Sequence, residues 1–304
     1  WTYAGSVEGI GQIGPRALLD QYRFRTLTAD TPIYGIVGRP IAHSVSPAMH
    51  NAAFGWAGVD GVYLALPAVD ADDFLTFAQA FGVRGASVTI PYKVALAERM
   101  HVLDPLAREV GAINTMRRAD GEWQGTNTDV AGFLQPLHDA HVRLAGARVA
   151  VAGAGGSARA VVVALRAAGA DVTLYARDVH KARTLADAFP GVQVARWPVA
   201  AGSWDLLVNC TPVGMHPQTD DSPVAPAALS GRAVYDLIYN PLETRLLREA
   251  ARAGCATFGG LDMLVAQARD QFCWWTGVRP DAAVMRDAAL ARLAEFRAHE
   301  DHDV

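Results

Sequence analysis

Residues 149–158 read Val149-Ala-Val-Ala-Gly-Ala-Gly-Gly-Ser-Ala158, an apolar run, then a glycine-rich turn, then residues that continue at helical spacing. Arg148–Ala152 predicts a buried strand and Ser157–Ala168 a helix, so Gly153, Gly155 and Ala158 form G-x-G-x-x-A between the two. Each position has a physical reason. Gly153 permits the tight turn, Gly155 lets backbone approach a pyrophosphate, and the small Ala158 lets the helix pack closely on the strand. Unpaired N–H groups at the helix N-terminus then favour a phosphate. Gly153, Ala154, Gly155, Gly156 and Ser157 are therefore candidate cofactor residues of a Rossmann-type dinucleotide-binding domain.

The end of the following strand, Val172–Ala176, selects the dinucleotide. An NAD site places an acid there to hold the ribose 2′-OH, whereas here Arg177 follows the strand and Lys181 stands one helical turn later. Two cations suit a 2′-phosphate, which an arginine binds with a bidentate fork. NADP is the expected cofactor, with NAD kept open by the neighbouring Asp178. A solvated helix start is the plainer reading of Arg177 and Lys181.

Outward from this loop, apolar β-rich runs alternate with helical patterns. Ile33–Val37, Val62–Leu66 and Ala86–Ile90 read as strands, and Ser46–Ala57 and Asp70–Phe81 as helices opened by capping residues. After a hairpin turn at Ala119-Asp120-Gly121 and a joining helix, Asp129–Ala140, a second series runs through Arg148–Ala152, Val172–Tyr175, Leu206–Asn209 and Ala233–Leu237. Leu261–Ala298 reads as helical throughout. Alternation of this kind predicts a two-lobed α/β protein with mostly parallel sheets. Its expected parts are an N-terminal tail (1–29), a substrate domain (30–130), a Rossmann-type domain (131–261) and C-terminal helices (262–304) returning to the first lobe.

Composition removes several function classes. The 304 residues are 51% hydrophobic with a net charge of −4, which argues against disorder and against a nucleic-acid surface. No apolar run reaches the roughly 18 residues of a membrane span. Cys210, Cys255 and Cys273 form no CxxC and read as reduced thiols, pointing to the cytoplasm. His43, His50, His101 and His216 have no metal-ligand spacing, so no metal site is expected.

The first lobe concentrates polar residues in short strings: Gly38-Arg-Pro-Ile-Ala-His-Ser-Val-Ser-Pro47, Ser87-Val-Thr-Ile-Pro-Tyr-Lys93, Gly111-Ala-Ile-Asn-Thr115 and Gly125-Thr-Asn-Thr-Asp129. Together with the Gly153–Gly156 loop and Gly259–Gln267, they make six strings in one order. In these the chain resembles the shikimate dehydrogenases, over about residues 33–298. The resemblance implies reversible NADP-dependent reduction of 3-dehydroshikimate to shikimate. It implies Lys93 and Asp129 as the catalytic pair, and Ser44, Ser46, Thr89, Asn114, Tyr239 and Gln267 as substrate contacts. It adds Leu237 and Gly260 to the cofactor residues. Three strings depart from the family's pattern: Ala176-Arg177-Asp178 replaces Asn-Arg-Thr and keeps only the arginine, Ser87 replaces a frequent asparagine, and Thr126 an acid.

The residue types suit this chemistry. Hydride transfer to a ketone develops negative charge on oxygen, and a placed lysine supplies the proton. Hydroxyls and amides match a carboxylate and several ring hydroxyls. Asp178 leaves an NAD-dependent quinate/shikimate dehydrogenase as the rival, and a metabolite sensor without catalysis is the reading from another class.

Residues 1–29 crowd Gly5, Gly9, Gly11 and Gly14 before a short amphipathic helix, Arg16–Tyr22. Gly11-Gln-Ile13 followed by Leu18-Leu-Asp-Gln-Tyr-Arg-Phe-Arg25 resembles the end of a type I 3-dehydroquinate dehydratase. That resemblance implies a place in a longer bifunctional dehydratase–dehydrogenase chain. A leader segment is the alternative.

Overall fold

A computed structural model describes residues 13–300 of the chain. Gly5, Gly9, Gly11 and Gln12 of the dehydratase-like segment lie outside these residues. In chain order the elements are α1 (Pro15–Asp20), β1 (Ile33–Gly38), α2 (Ser46–Ala57), β2 (Val62–Pro67), α3 (Ala71–Ala80), β3 (Val83–Val88), α4 (Lys93–Ala97), β4 (Val102–Leu103) and α5 (Pro105–Val110). Next come β5 (Thr115–Ala119), β6 (Glu122–Thr126), α6 (Asp129–Asp139), β7 (Arg148–Ala152), α7 (Gly156–Ala167), β8 (Asp171–Ala176), α8 (Val179–Asp187) and β9 (Gln193–Arg196). The last are β10 (Leu206–Asn209), β11 (Ala233–Asp236), α9 (Arg245–Arg252), β12 (Ala256–Phe258), α10 (Gly260–Thr276) and α11 (Ala282–Glu300).

The chain divides into two compact units. One takes the chain up to Asp104, Ile113–Thr126 and the segment from Ala268 onward; the other takes Pro105–Ala112 and Asn127–Gln267.

The first unit is built on a six-stranded sheet of order β2-β1-β3-β5-β6-β4. β1 pairs in parallel with β2 and β3, but β5 runs antiparallel to both β3 and β6, so this sheet is mixed. The reversal between β5 and β6 comes from the tight turn expected at Asp120-Gly121. Both residues have positive φ (52° and 82°), the pair of left-handed conformations that a two-residue hairpin turn requires. α2 covers one face with Met49, Ala53 and Phe54 fully buried, and α11 packs along it. Phe272 of α10 closes on Phe54 with ring centroids 4.8 Å apart.

The second unit holds a six-stranded, all-parallel sheet of order β12-β11-β10-β7-β8-β9. β7 is buried on both faces, as a central parallel strand must be. Val149 and Val151 enter one apolar cluster with Phe133, Leu137 and α7, while Ala150 enters the other with Trp204, Leu207 and Leu246. The chain starts at β7, moves outward to β8 and β9, and then returns to β10 on the other side. The ends of β7 and β10 therefore flank the point where strand order reverses, the usual place for a ligand in such sheets.

Two sequence expectations are corrected in detail. The tail is two helices, because Gly277 adopts φ 76° and Pro280 follows, which ends α10 before α11 starts. The short edge strands β9 and β12 lacked an apolar alternation long enough to read. Elsewhere α2 falls on its expected span, Ser46–Ala57, as does β10 on Leu206–Asn209.

Candidate functional site

In the second unit the turn after β7 has the conformation its glycines were expected to allow. Gly153 has φ 111°, and a Cβ there would lie 3.1 Å from the Cys210 carbonyl oxygen. Its N–H donates to the Tyr175 carbonyl at 2.8 Å, which fixes the turn against β8. Gly155 is the N-cap of α7 and brings no side-chain hydrogen bond to the helix end; the space a Cβ would fill is open. Ala158 is fully buried. An uncapped helix start beside a bare backbone turn fits a dinucleotide pyrophosphate.

The end of β8 shows what Asp178 does. Its Oδ1 accepts the N–H groups of His180 (3.0 Å) and Lys181 (3.2 Å), making it the N-cap of α8. The carboxylate is thus turned into its own helix end, a task Thr or Ser also performs. Arg177 and Lys181 remain exposed beside it. The cations thus suit the extra phosphate of NADP, and the acid that suggested NAD has a local structural role.

Also in this unit, Asp129 opens α6 and is 5% exposed. Its N–H donates to Asn127 Oδ1 (3.0 Å), and Asn127 Nδ2 is held by the Ala112 carbonyl (2.9 Å), so the turn before the helix is fixed from both sides. Thr128 Oγ1 donates to the Gln267 carbonyl at 3.1 Å, tying α6 to α10. Leu237 and Tyr239 follow β11 and are half-buried, and the buried Gly260 donates its N–H to the Ile238 carbonyl at 3.1 Å.

The first unit carries Ser44, Ser46, Thr89, Lys93 and Asn114. Ser44 Oγ accepts the Ser46 N–H at 3.2 Å, shaping the turn into α2. Thr89 is held to β1 through the Val37 carbonyl (2.9 Å), and Lys93, 8% exposed, is the first residue of α4, its carbonyl accepting the Ile113 N–H at 2.9 Å. Tyr92 anchors that helix through Oη to the Ala68 and Val69 carbonyls.

Beneath Asn114 lies a hydrogen-bonded chain that sequence reading missed. Tyr63 Oη donates to Ser87 Oγ (2.6 Å), Ser87 Oγ donates to Gln271 Oε1 (2.6 Å), and Gln271 Nε2 donates to the Asn114 carbonyl (3.0 Å). Ser87, where the family commonly has asparagine, is thereby wired into the wall that carries Asn114. Against Tyr63 stacks His50, fully buried, at 4.3 Å. Neither of its ring nitrogens makes a hydrogen bond. Burial pushes its pKa down to about 3, with the adjacent Gln271 amide opposing only in part. The remaining departure, Thr126, donates its hydroxyl to Asp104.

The comparisons with known proteins agree on one family. The pattern of the shikimate dehydrogenase substrate binding domain fits residues 36–116, and that of the shikimate 5′-dehydrogenase C-terminal domain fits residues 260–290. The shikimate dehydrogenase (NADP(+)) of Symbiobacterium thermophilum is 43% identical over 279 residues, covering 86% of this chain and 94% of that protein. This chain belongs to the shikimate dehydrogenase family. A shikimate dehydrogenase solved with NADP+ is 35% identical, with a TM-score of 0.82 over 88% of this chain and 97% of its own. The Thermus thermophilus shikimate 5-dehydrogenase solved with NADP(H) and shikimate gives 36% identity and a TM-score of 0.78, covering 86% and 99%. Among the described residues no helix is long and apolar enough to cross a membrane, and no group of His, Cys, Asp and Glu is arranged to hold a metal.

Proposed function

We propose that this chain interconverts shikimate and 3-dehydroshikimate with NADP, and that Lys93 moves the proton at the reacting oxygen. The observation that carries the reading is the placement of Lys93. A lysine serving only the surface extends into water, whereas this one is 8% exposed at the start of a helix pinned by Tyr92 and Ile113. In the reducing direction the Lys93 ammonium gives a proton to the oxygen as charge develops there; in the oxidising direction the neutral amine takes it back. Asp129, on its braced turn, is the second member of the catalytic pair and accepts a hydrogen bond from a ring hydroxyl. Ser44 and Ser46 take the substrate carboxylate. Thr89, Asn114, Tyr239 and Gln267 take the remaining polar groups.

Bound NADP supplies or accepts the hydride. Gly153, Ala154, Gly155, Gly156 and Ser157 hold its pyrophosphate, Arg177 and Lys181 its 2′-phosphate, and Leu237 and Gly260 line its other end. A cytoplasmic setting and a dehydratase upstream in a longer chain belong to the same reading, supported by a sparse set of three cysteines with no CxxC and by the residues quoted above.

The experiment is to follow reduced-nicotinamide absorbance with shikimate or quinate and either NADP+ or NAD+. Shikimate with NADP+ is expected to be the fastest pair. In Lys93→Ala, shikimate still binds and turnover falls by roughly 10²–10⁴-fold, the range for loss of a general acid–base. Near-parent turnover in that variant removes Lys93 from the mechanism.

A further inference from the structure

Asp236 is a fully buried carboxylate that the mechanism above leaves unused. It ends β11 and accepts three hydrogen bonds. Asn209 Nδ2 (3.0 Å) and the Ile238 N–H (3.1 Å) donate to Oδ1, and Thr244 Oγ1 (2.7 Å) donates to Oδ2. Thr244 Oγ1 itself accepts the Leu247 N–H at the start of α9, which leaves its proton for the carboxylate. Asn209 and Thr244 are also fully buried.

The connections continue outward from this carboxylate. Asn209 Oδ1 accepts the N–H (3.0 Å) and hydroxyl (2.7 Å) of Thr211, and its Nδ2 also reaches the Val213 carbonyl. Backbone bonds run from Leu237 N–H to the Asn209 carbonyl, from His216 N–H to the Asn240 carbonyl, and from Gly260 N–H to the Ile238 carbonyl. One side chain thus ties together the exits of β10 and β11, with α9 and α10 starting from the same cluster.

Apolar packing alone would not select a carboxylate here. A buried charge is costly, and hydrophobic residues of similar volume replace such groups at little loss where only stability is needed. A hub with several fixed acceptor directions gives position instead. Leu237 and Tyr239 lie one and three residues beyond it, on the loop that it spans to Thr244.

We propose that Asp236 is a positioning residue, its carboxylate fixing the 237–244 loop so that Leu237 meets the cofactor and Tyr239 the substrate. The proposal rests on the shikimate dehydrogenase reading of the site. Burial pushes the Asp236 carboxyl up to about 6, while Thr244, the Ile238 N–H and Asn209 pull against that rise.

The test uses Asp236→Asn, Thr244→Val and Thr244→Ser in the 304-residue protein. The readouts are KM for shikimate and for NADP+, kcat, and Tm. Asp236→Asn and Thr244→Val are expected to raise both KM values at least fivefold with kcat changed less, and Thr244→Ser, which keeps the hydroxyl, to restore parent values. If Asp236→Asn fails to fold, Thr244→Val alone carries the comparison. Lower Tm with parent KM and kcat overturns the proposal, because a merely structural hub would do that. Should the parent not oxidise shikimate, the function reading fails by itself. Calorimetric NADP+ affinity of Thr244→Val then decides: weakened binding supports positioning, and unchanged binding overturns it.

Discussion

Replacing Gly260 by alanine tests the close contact between the start of α10 and the loop after β11. A Cβ at Gly260 would lie 2.2 Å from the Leu237 carbonyl oxygen, 2.5 Å from its carbon and 2.7 Å from the Ile238 carbonyl carbon. All three are backbone atoms, so no side chain can rotate away. Ordinary contact begins at 3.4 Å, so the Leu237 carbonyl oxygen must recede by about 1.2 Å and the Ile238 carbonyl carbon by about 0.7 Å, and the 3.1 Å bond from Gly260 N–H to Ile238 is stretched or lost. Overpacking of this kind costs about 1–3 kcal/mol, and the weakened bond adds about 1 kcal/mol. At roughly 2–4 °C per kcal/mol for a unit of this size, Tm falls by about 4–16 °C. Because Leu237 faces the cofactor in the proposed site, a shift of about 1 Å lowers kcat/KM by on the order of 10²-fold. Shikimate oxidation followed at the NADPH band, together with a thermal melt, measures both. Gly259→Ala is the control. A Cβ there would meet only the Leu242 carbonyl oxygen at 3.6 Å and Leu247 Cδ1 at 3.8 Å, so both measures should stay close to parent. A Gly260→Ala protein with parent rate and parent Tm would refute the reasoning, since the loop would then yield freely.

Other expectations follow from single groups. Asp178→Ala loses the two N-cap bonds and about 1 kcal/mol of stability, whereas Asp178→Ser keeps the cap; neither variant acquires a preference for NAD+. A tenfold loss of NAD+ affinity in Asp178→Ser would show the carboxylate reading a ribose after all. Arg177→Ala and Lys181→Ala raise KM for NADP+ and leave KM for NAD+ unchanged, and equal effects on both cofactors would remove them from a phosphate site. His50, held down to about 3 by burial, makes the fold acid-sensitive. As pH falls below 6.5 the unfolded chain takes up a proton that the folded chain refuses, so stability drops by on the order of 1.4 kcal/mol per pH unit. His50→Phe should lose less Tm than the parent between pH 7.5 and 5.0. The raised carboxyl of Asp236 acts in the opposite sense but is common to both proteins and cancels. Parallel Tm curves would argue against a neutral His50 core.

Much of the fold was legible because its signals are local. Apolar spacing marked α2, and the Asp70 cap marked the start of α3 through bonds to the N–H groups of Asp72 and Asp73. Asp120-Gly121 marked the hairpin through the positive φ each adopts, and the glycines after β7 marked a turn that needs no contact from elsewhere. The strings holding Ser44, Lys93, Asn114 and Asp129 were legible as motifs for the same reason, since each is contained within a few residues. The break between α10 and α11 was also written locally, at Gly277 and Pro280, but was obscured by helix-favouring residues on both sides.

What the tertiary structure decided is which partners the polar groups found. Asp178 is a cap rather than a ribose ligand because its carboxylate turns toward the end of its own helix. Ser87 is matched with Gln271, 184 residues away. Asp236 becomes a hub because β10 and β11 end side by side and α9 starts beneath them. Turn and helix chemistry acts over a few bonds and so travels with the sequence. The role of a buried polar side chain is set by which distant donors and acceptors packing brings within 3 Å, and by the removal of water that makes each such pairing obligatory.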